Sequence, residues 1–133
     1  MFGKKSGGKS TIDSLIGAAT RIEGNIVFQG GLRIDGQVVG NIVAAPDQPS
    51  MLVISEQARV EGEIHVAHLV VNGQIVGPVF AGELLELQPK ARVTGNVQYK
   101  ALEMHHGAIV DGTLAHGDDA SRPSLKLATS NGA

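Results

Sequence analysis

A chain of 133 residues has room for one small domain, so a separate cofactor-binding module is not expected. Lys and Arg number 11 against 13 Asp and Glu, a formal charge of −2 that supplies no basic field for nucleic acid. Cys is absent, which excludes disulfide frameworks, thiolate metal sites and cysteine nucleophiles; with 42 % hydrophobic residues, 3 % aromatics and 18 glycines, the core has to be built from Val, Ile and Leu between many turns.

Residues 1–11 are rich in Gly, Ser and Lys and read as a flexible tail. Lys4, Lys5 and Lys9 are followed by no apolar h-region, so the start does not match a secretory signal, and no stretch approaches the roughly 20 apolar residues of a membrane-spanning helix. The predicted domain, residues 12–116, is organised by a five-residue unit, apolar-x-Gly-x-apolar. It runs Ile22-Glu23-Gly24-Asn25-Ile26, Val38-Val39-Gly40-Asn41-Ile42 and Val60-Glu61-Gly62-Glu63-Ile64, then Ile75-Val76-Gly77-Pro78-Val79, Val93-Thr94-Gly95-Asn96-Val97 and Val110-Asp111-Gly112-Thr113-Leu114. The glycines are 16, 22, 15, 18 and 17 residues apart. The one long interval holds Ala45-Pro46-Asp47-Gln48-Pro49-Ser50, a run of turn formers that predicts a loop pushed out of a regular coil. Residues 117–133 carry no sustained period and read as a second disordered tail.

A period of 17 to 18 residues without a helical pattern predicts an all-β solenoid, each coil holding three short strands. The two apolar residues and the glycine of each unit share one parity, which predicts that all three face inward. Arg21 and Glu23, Arg59 and Glu61, Arg92 and Thr94 take the opposite parity and predict a polar outer face. Six coils at the strand spacing would make a rod about 29 Å long. Its first and last coils would each leave one side of the hydrogen-bond ladder open, and neither tail offers a capping pattern, so the expectation is that the ends stack on further copies into filaments. The candidate contact residues are Leu15, Ile16 and Ile22 at one end and Ile109, Val110 and Leu114 at the other. Ile109 stands out because Ala58-Arg59-Val60 and Ala91-Arg92-Val93 recur as Ala108-Ile109-Val110, placing an apolar residue where the earlier coils have Arg.

Thr11-Ile12-Asp13-Ser14-Leu15-Ile16-Gly17, Ile22-Glu23-Gly24-Asn25-Ile26, Gly30-Gly31-Leu32-Arg33-Ile34-Asp35-Gly36 and the Ala-Arg-Val-x-Gly units, in that order over residues 11–115, resemble the bactofilins, bacterial polymer-forming cytoskeletal proteins. The resemblance implies a right-handed β-helix that polymerises with itself without nucleotide, lies on the cytoplasmic side of the inner membrane and positions cell-shape or cell-wall enzymes such as a peptidoglycan peptidase or synthase. It also implies an aromatic self-association contact in the last coil, where this chain has Ile109-Val110. The opening Met1-Phe2-Gly3-Lys4-Lys5 is similar to the membrane-targeting start of many bactofilins. Met1 and Phe2 would enter the lipid interface while Lys4, Lys5 and Lys9 each add about 1 kcal/mol against anionic lipid.

Enzyme readings fit less well. A trimeric hexapeptide-repeat acyltransferase shares the solenoid, but the hexad Ile22, Phe28, Ile34 breaks at Gly40, and Ile54, Val60, Val66 ends at Asn72. A metal enzyme would need converging imidazoles, whereas His65 and His68, like His105 and His106, are spaced for opposite faces unless a corner intervenes. Glu23, Glu61, Glu63 and Asp111 fall on the solvated side, where nothing perturbs a carboxylate toward acid/base work. Gly30-Gly31 is followed by no Gly-Lys-Ser/Thr helix start, so neither nucleotide nor any other cofactor is expected.

Overall fold

The computed structural model describes residues 12–117, and within them fifteen strands follow one another with no helix. They form six rungs of three. The first rung is β1 (Ile12–Ile16), β2 (Arg21–Glu23) and β3 (Ile26–Phe28); the second is β4 (Gly30–Ile34), β5 (Gln37–Val39) and β6 (Ile42–Ala44). The third starts with β7 (Ser50–Ile54) and β8 (Arg59–Glu61) and runs into β9 (Ile64–Val71), whose second half opens the fourth rung. β10 (Gln74–Val76), β11 (Val79–Leu87), β12 (Arg92–Thr94) and β13 (Val97–Met104) repeat that plan, and β14 (Ile109–Asp111) and β15 (Leu114–His116) close the sixth rung. Every pairing between rungs is parallel. The strands stack into three sides: the first begins with β1, β4 and β7, the second is β2-β5-β8-β10-β12-β14, and the third begins with β3 and β6.

Register turns the repeat into columns of aliphatic side chains. Ile22, Val38, Val60, Ile75, Val93 and Val110 stack along the second side, and Ile26, Ile42, Ile64, Val79, Val97 and Leu114 along the third. A third column runs Ile16, Ile34, Ile54, Val71, Leu87, Met104. β-Branched side chains suit these columns because their stiff χ1 packs well against the same residue one rung away. The alternation read from the sequence holds: the apolar pair of each unit points in, while Arg and Glu point out and pair two residues apart, as Arg21–Glu23 at 2.9 Å and Arg59–Glu61 at 2.8 Å.

The glycines differ from the expectation that they face inward. Gly40, Gly62, Gly77, Gly95 and Gly112 sit at the corner between the second and third sides with φ between 135° and 154°. A Cβ there would not enter the core but would strike the carbonyl oxygen of the glycine one rung earlier, 2.1 Å away at Gly62. The residue type is fixed by backbone stacked on backbone as well as by the left-handed conformation. Beside this corner Asn25 Oδ1 accepts from the N–H of Asn41 at 2.9 Å, and Asn41 Oδ1 from the N–H of Glu63 at 3.0 Å.

The uneven glycine spacing has a structural source in the other corners. Between the first and second sides the chain turns through two residues at Asp35-Gly36 and Asn72-Gly73, but through four at Gly17–Thr20, Ser55–Ala58, Gln88–Ala91 and His105–Ala108. The 22-residue interval holds, as expected, an extruded loop over residues 45–49, with Asp47 at φ 63°. Ser50, buried where the chain re-enters the rod, accepts the N–H of Ala67 on its Oγ at 3.0 Å.

Candidate functional site

Backbone hydrogen bonds give the two ends of the rod their chemistry. At each glycine corner the N–H donates forward, from Gly24 to Val39, Gly40 to Glu61, Gly62 to Val76, Gly77 to Thr94 and Gly95 to Asp111. Among the described residues the series has no acceptor for Gly112, because no seventh rung follows. At the opposite end the Cβ direction of Gly24, the direction that meets backbone at Gly40 and Gly62, meets nothing within 4 Å. Among the described residues the terminal rungs are unfinished ladders.

The six residues read from the sequence as contacts all lie on those rungs, in two groups. Ile16, Ile22, Val110 and Leu114 belong to the inward columns and are uncovered because the column stops; Leu114 is 41 % exposed where Val97, one rung inside, is 1 % exposed. Leu15 and Ile109 point outward, beside Arg33 and Arg92 respectively, and are 60 % and 45 % exposed. They flank the ends. Sequence reasoning missed Ile26 and Met104, which end two of these columns, Phe28 and Leu102, which end neighbouring inward ones, and the backbone faces at Gly24 and Gly112. Aligning the repeat units by register rather than by the glycine alone would have exposed them. Met1, Phe2, Lys4, Lys5 and Lys9, read as membrane-binding, lie outside the described residues, as do tail residues 1–11 and 118–133.

Charge is spread along the sides and paired locally. Arg33–Asp35 at 2.9 Å and Lys90–Glu56 at 2.9 Å add to the two pairs above. A hydrogen bond from Ser55, with the Arg33 guanidinium, holds the Asp35 carboxyl below its ordinary range. Glu23 and Glu61 bond their neighbouring arginines, Glu63 bonds His65, and Asp111 is exposed, so these four do not assemble an acid/base pair.

The histidines do not converge. A corner at Ala67 intervenes between His65 and His68, so they leave the rod on different sides: His65 stacks on Phe80, ring centroids 4.4 Å apart, and His68 stands between Met51 and Leu84 with its Nε2 buried and unpartnered among the described residues. His106 is exposed and His116 meets Tyr99 edge-on. Stacking does bring His105 toward Glu86 and Glu103, with their ligand atoms within 4.8 Å of one another, a neighbourhood that residue spacing could not reveal. No helix among the described residues is long and apolar enough to cross a membrane.

Comparison with known proteins gives consistent results. A family model for bactofilin, described as polymer-forming cytoskeletal, matches residues 14–115. The bactofilin BacP of Myxococcus xanthus is 24 % identical over 129 residues, covering 92 % of this chain and 52 % of that protein, so the chain spans about half the length of this curated relative. The cryo-EM reconstruction of Thermus thermophilus bactofilin double helical filaments matches with a TM-score of 0.71 at 28 % identity, over 78 % of this chain and 99 % of that one.

Proposed function

The chain belongs to the bactofilin family of polymer-forming cytoskeletal proteins, and from that premise we propose that it is a scaffold subunit whose rungs continue from one copy into the next. The observation that carries the reading is that, among the described residues, the aliphatic columns and the corner hydrogen bonds run through four sealed rungs and then stop, uncovered, at both ends. A second copy placed on either end would supply the missing backbone partners and cover Ile22, Ile26, Leu114 and Met104 at once. Each junction then resembles an internal rung, and no nucleotide is needed to drive it. The resemblance to bactofilins further supports placement on the inner membrane through Met1, Phe2, Lys4, Lys5 and Lys9, with avidity along the filament multiplying a weak contact. It also supports a role in positioning a peptidoglycan peptidase or synthase.

Charged residues in the terminal columns test the reading. In a single molecule Arg at position 22 or 114 reaches water from the open end; between stacked copies it would be buried without a partner. Ile22→Arg and Leu114→Arg should each convert filaments to small oligomers in sedimentation velocity while far-UV circular dichroism stays unchanged. Filaments of ordinary length from both variants would refute end-to-end stacking. Deleting residues 1–5 should release the assembled protein from anionic liposomes, and undiminished binding would remove the membrane assignment.

A further inference from the structure

The three sides of the rod are chemically unequal on the outside. Outward residues of the second side include Arg21, Arg59 and Arg92 with Glu23, Glu61 and Asp111, and those of the first include Arg33, Glu86 and Glu103. The third side differs. Its central outward column runs Val27, Val43, His65, Phe80, Gln98, Ala115 and contains no Lys, Arg, Asp or Glu. Val27 is 76 % exposed and Val43 37 %, and the next two rungs present the stacked rings of His65 and Phe80, 13° from parallel. From Val27 to Phe80 this stripe climbs three rung spacings, about 14 Å. Beside it the 45–49 loop stands out from the rod and leaves an open groove of about 690 Å³ bordered by His65 and Phe80.

We infer that this stripe is the seam along which two filaments of the chain lie against each other. The inference rests on the end-to-end reading and goes beyond it, because stacking of ends leaves all three sides free. Two features favour a second filament as the occupant. The related Thermus thermophilus bactofilin, whose fold this chain shares, forms double helical filaments. In addition, four side chains are far fewer than the roughly 20–30 residues a side of a stable pairwise interface, so single copies would not pair through the stripe. In a filament the same stripe recurs with every subunit, about every 29 Å, and many weak contacts act together. Closing a neighbour over this column would dehydrate mainly valine and ring faces, with His65–Glu63 the one pair disturbed, whereas closing the second side would desolvate both Arg21–Glu23 and Arg59–Glu61.

The test is mass per unit length of filaments of the full chain, measured by electron microscopy, for the natural sequence, Val27→Asp with Val43→Asp, and Arg59→Gln as a control on the second side. Val27→Thr with Val43→Thr keeps the β-branched shape and guards against a folding defect in the Asp variant. The natural chain and Arg59→Gln should give paired filaments, and both column variants should give filaments of normal length with mass per length halved. Paired filaments from the column variants would overturn the seam, as would single filaments from the natural chain. Loss of all filaments through Ile22→Arg or Leu114→Arg, with mass per length unaffected by the column variants, would leave end-to-end stacking standing and remove the seam alone. Retained pairing together with lost sedimentation on vesicles of anionic phospholipid would reassign the stripe to the membrane.

Discussion

The inner rungs and the two terminal rungs are built from the same columns, and they differ in what lies above and below them. Ile34, Ile54, Val71 and Leu87 are sealed, while Ile16 at one end of that column is half-buried and Met104 at the other is 45 % exposed. Val38, Val60 and Ile75 are fully buried, while Ile22 and Val110 are not. Within an inward column, therefore, side-chain type does not decide burial; a neighbour on each side does. Stability in such a stack is close to a sum of rung and junction contributions, so an end rung with one junction is the natural place for another copy to add the second.

Glycine substitution offers the sharpest way to break this comparison. Gly62→Ala forces a Cβ against the Gly40 carbonyl, backbone on backbone, and should cost about 4 kcal/mol or more in urea unfolding, measured in the Leu114→Arg background, which should not form filaments. Gly24→Ala, with a similar φ but open space in front of it, should cost only the conformational strain, about 1–2 kcal/mol. Equal losses would mean that the terminal rung is already covered. Next in size, Ile54→Ala in a sealed rung should cost about 2–5 kcal/mol, whereas Ile22→Ala in the same background should cost about 1 kcal/mol. Ile109→Arg restores at the last rung the residue type that Arg59 and Arg92 hold further in, and should shorten filaments without altering circular dichroism.

The smallest effect concerns pH. Because Ser55 and Arg33 lower the Asp35 pKa in the folded rod, the unfolded chain takes up that proton first as pH falls. The contribution of Asp35 is therefore complete above its ordinary value of 3.8 and fades as pH drops through the lower folded value. Asp35→Asn should destabilise by no more than about 1 kcal/mol at pH 7, with the difference from the natural chain vanishing once the pH falls below the lowered folded value. A difference that persists in acid would assign the effect to packing.

Much of the rod was legible because its period is written twice, once in glycine and once in the aliphatic pair around it. Inward Val60 and Ile64, outward Arg59 and Glu61, and the expelled loop at Pro46 to Pro49 follow from alternation and turn chemistry alone. The role of Gly62 did not, since its constraint is the carbonyl of Gly40, 22 residues away in the chain and one rung away in space. The alternation between two-residue and four-residue corners was hidden for the same reason, since Asn72-Gly73 and Ser55–Ala58 do the same work with different lengths. Among the terminal contact residues, Ile109 was legible because it interrupts the Ala-Arg-Val pattern, and Ile22, Val110 and Leu114 because they belong to the first and last repeat units. Phe28 and Met104 keep to their columns and become visible only when register shows that those columns end there.

The most direct test is a helical reconstruction of filaments of the natural chain that resolves the strand spacing across the subunit junction. The account predicts a junction spacing of about 4.8 Å, continuous with the rungs inside each subunit, with Ile22 or Leu114 covered by another copy. A junction in which the terminal strands stand apart, or a protein that stays as single particles at every concentration, would contradict it.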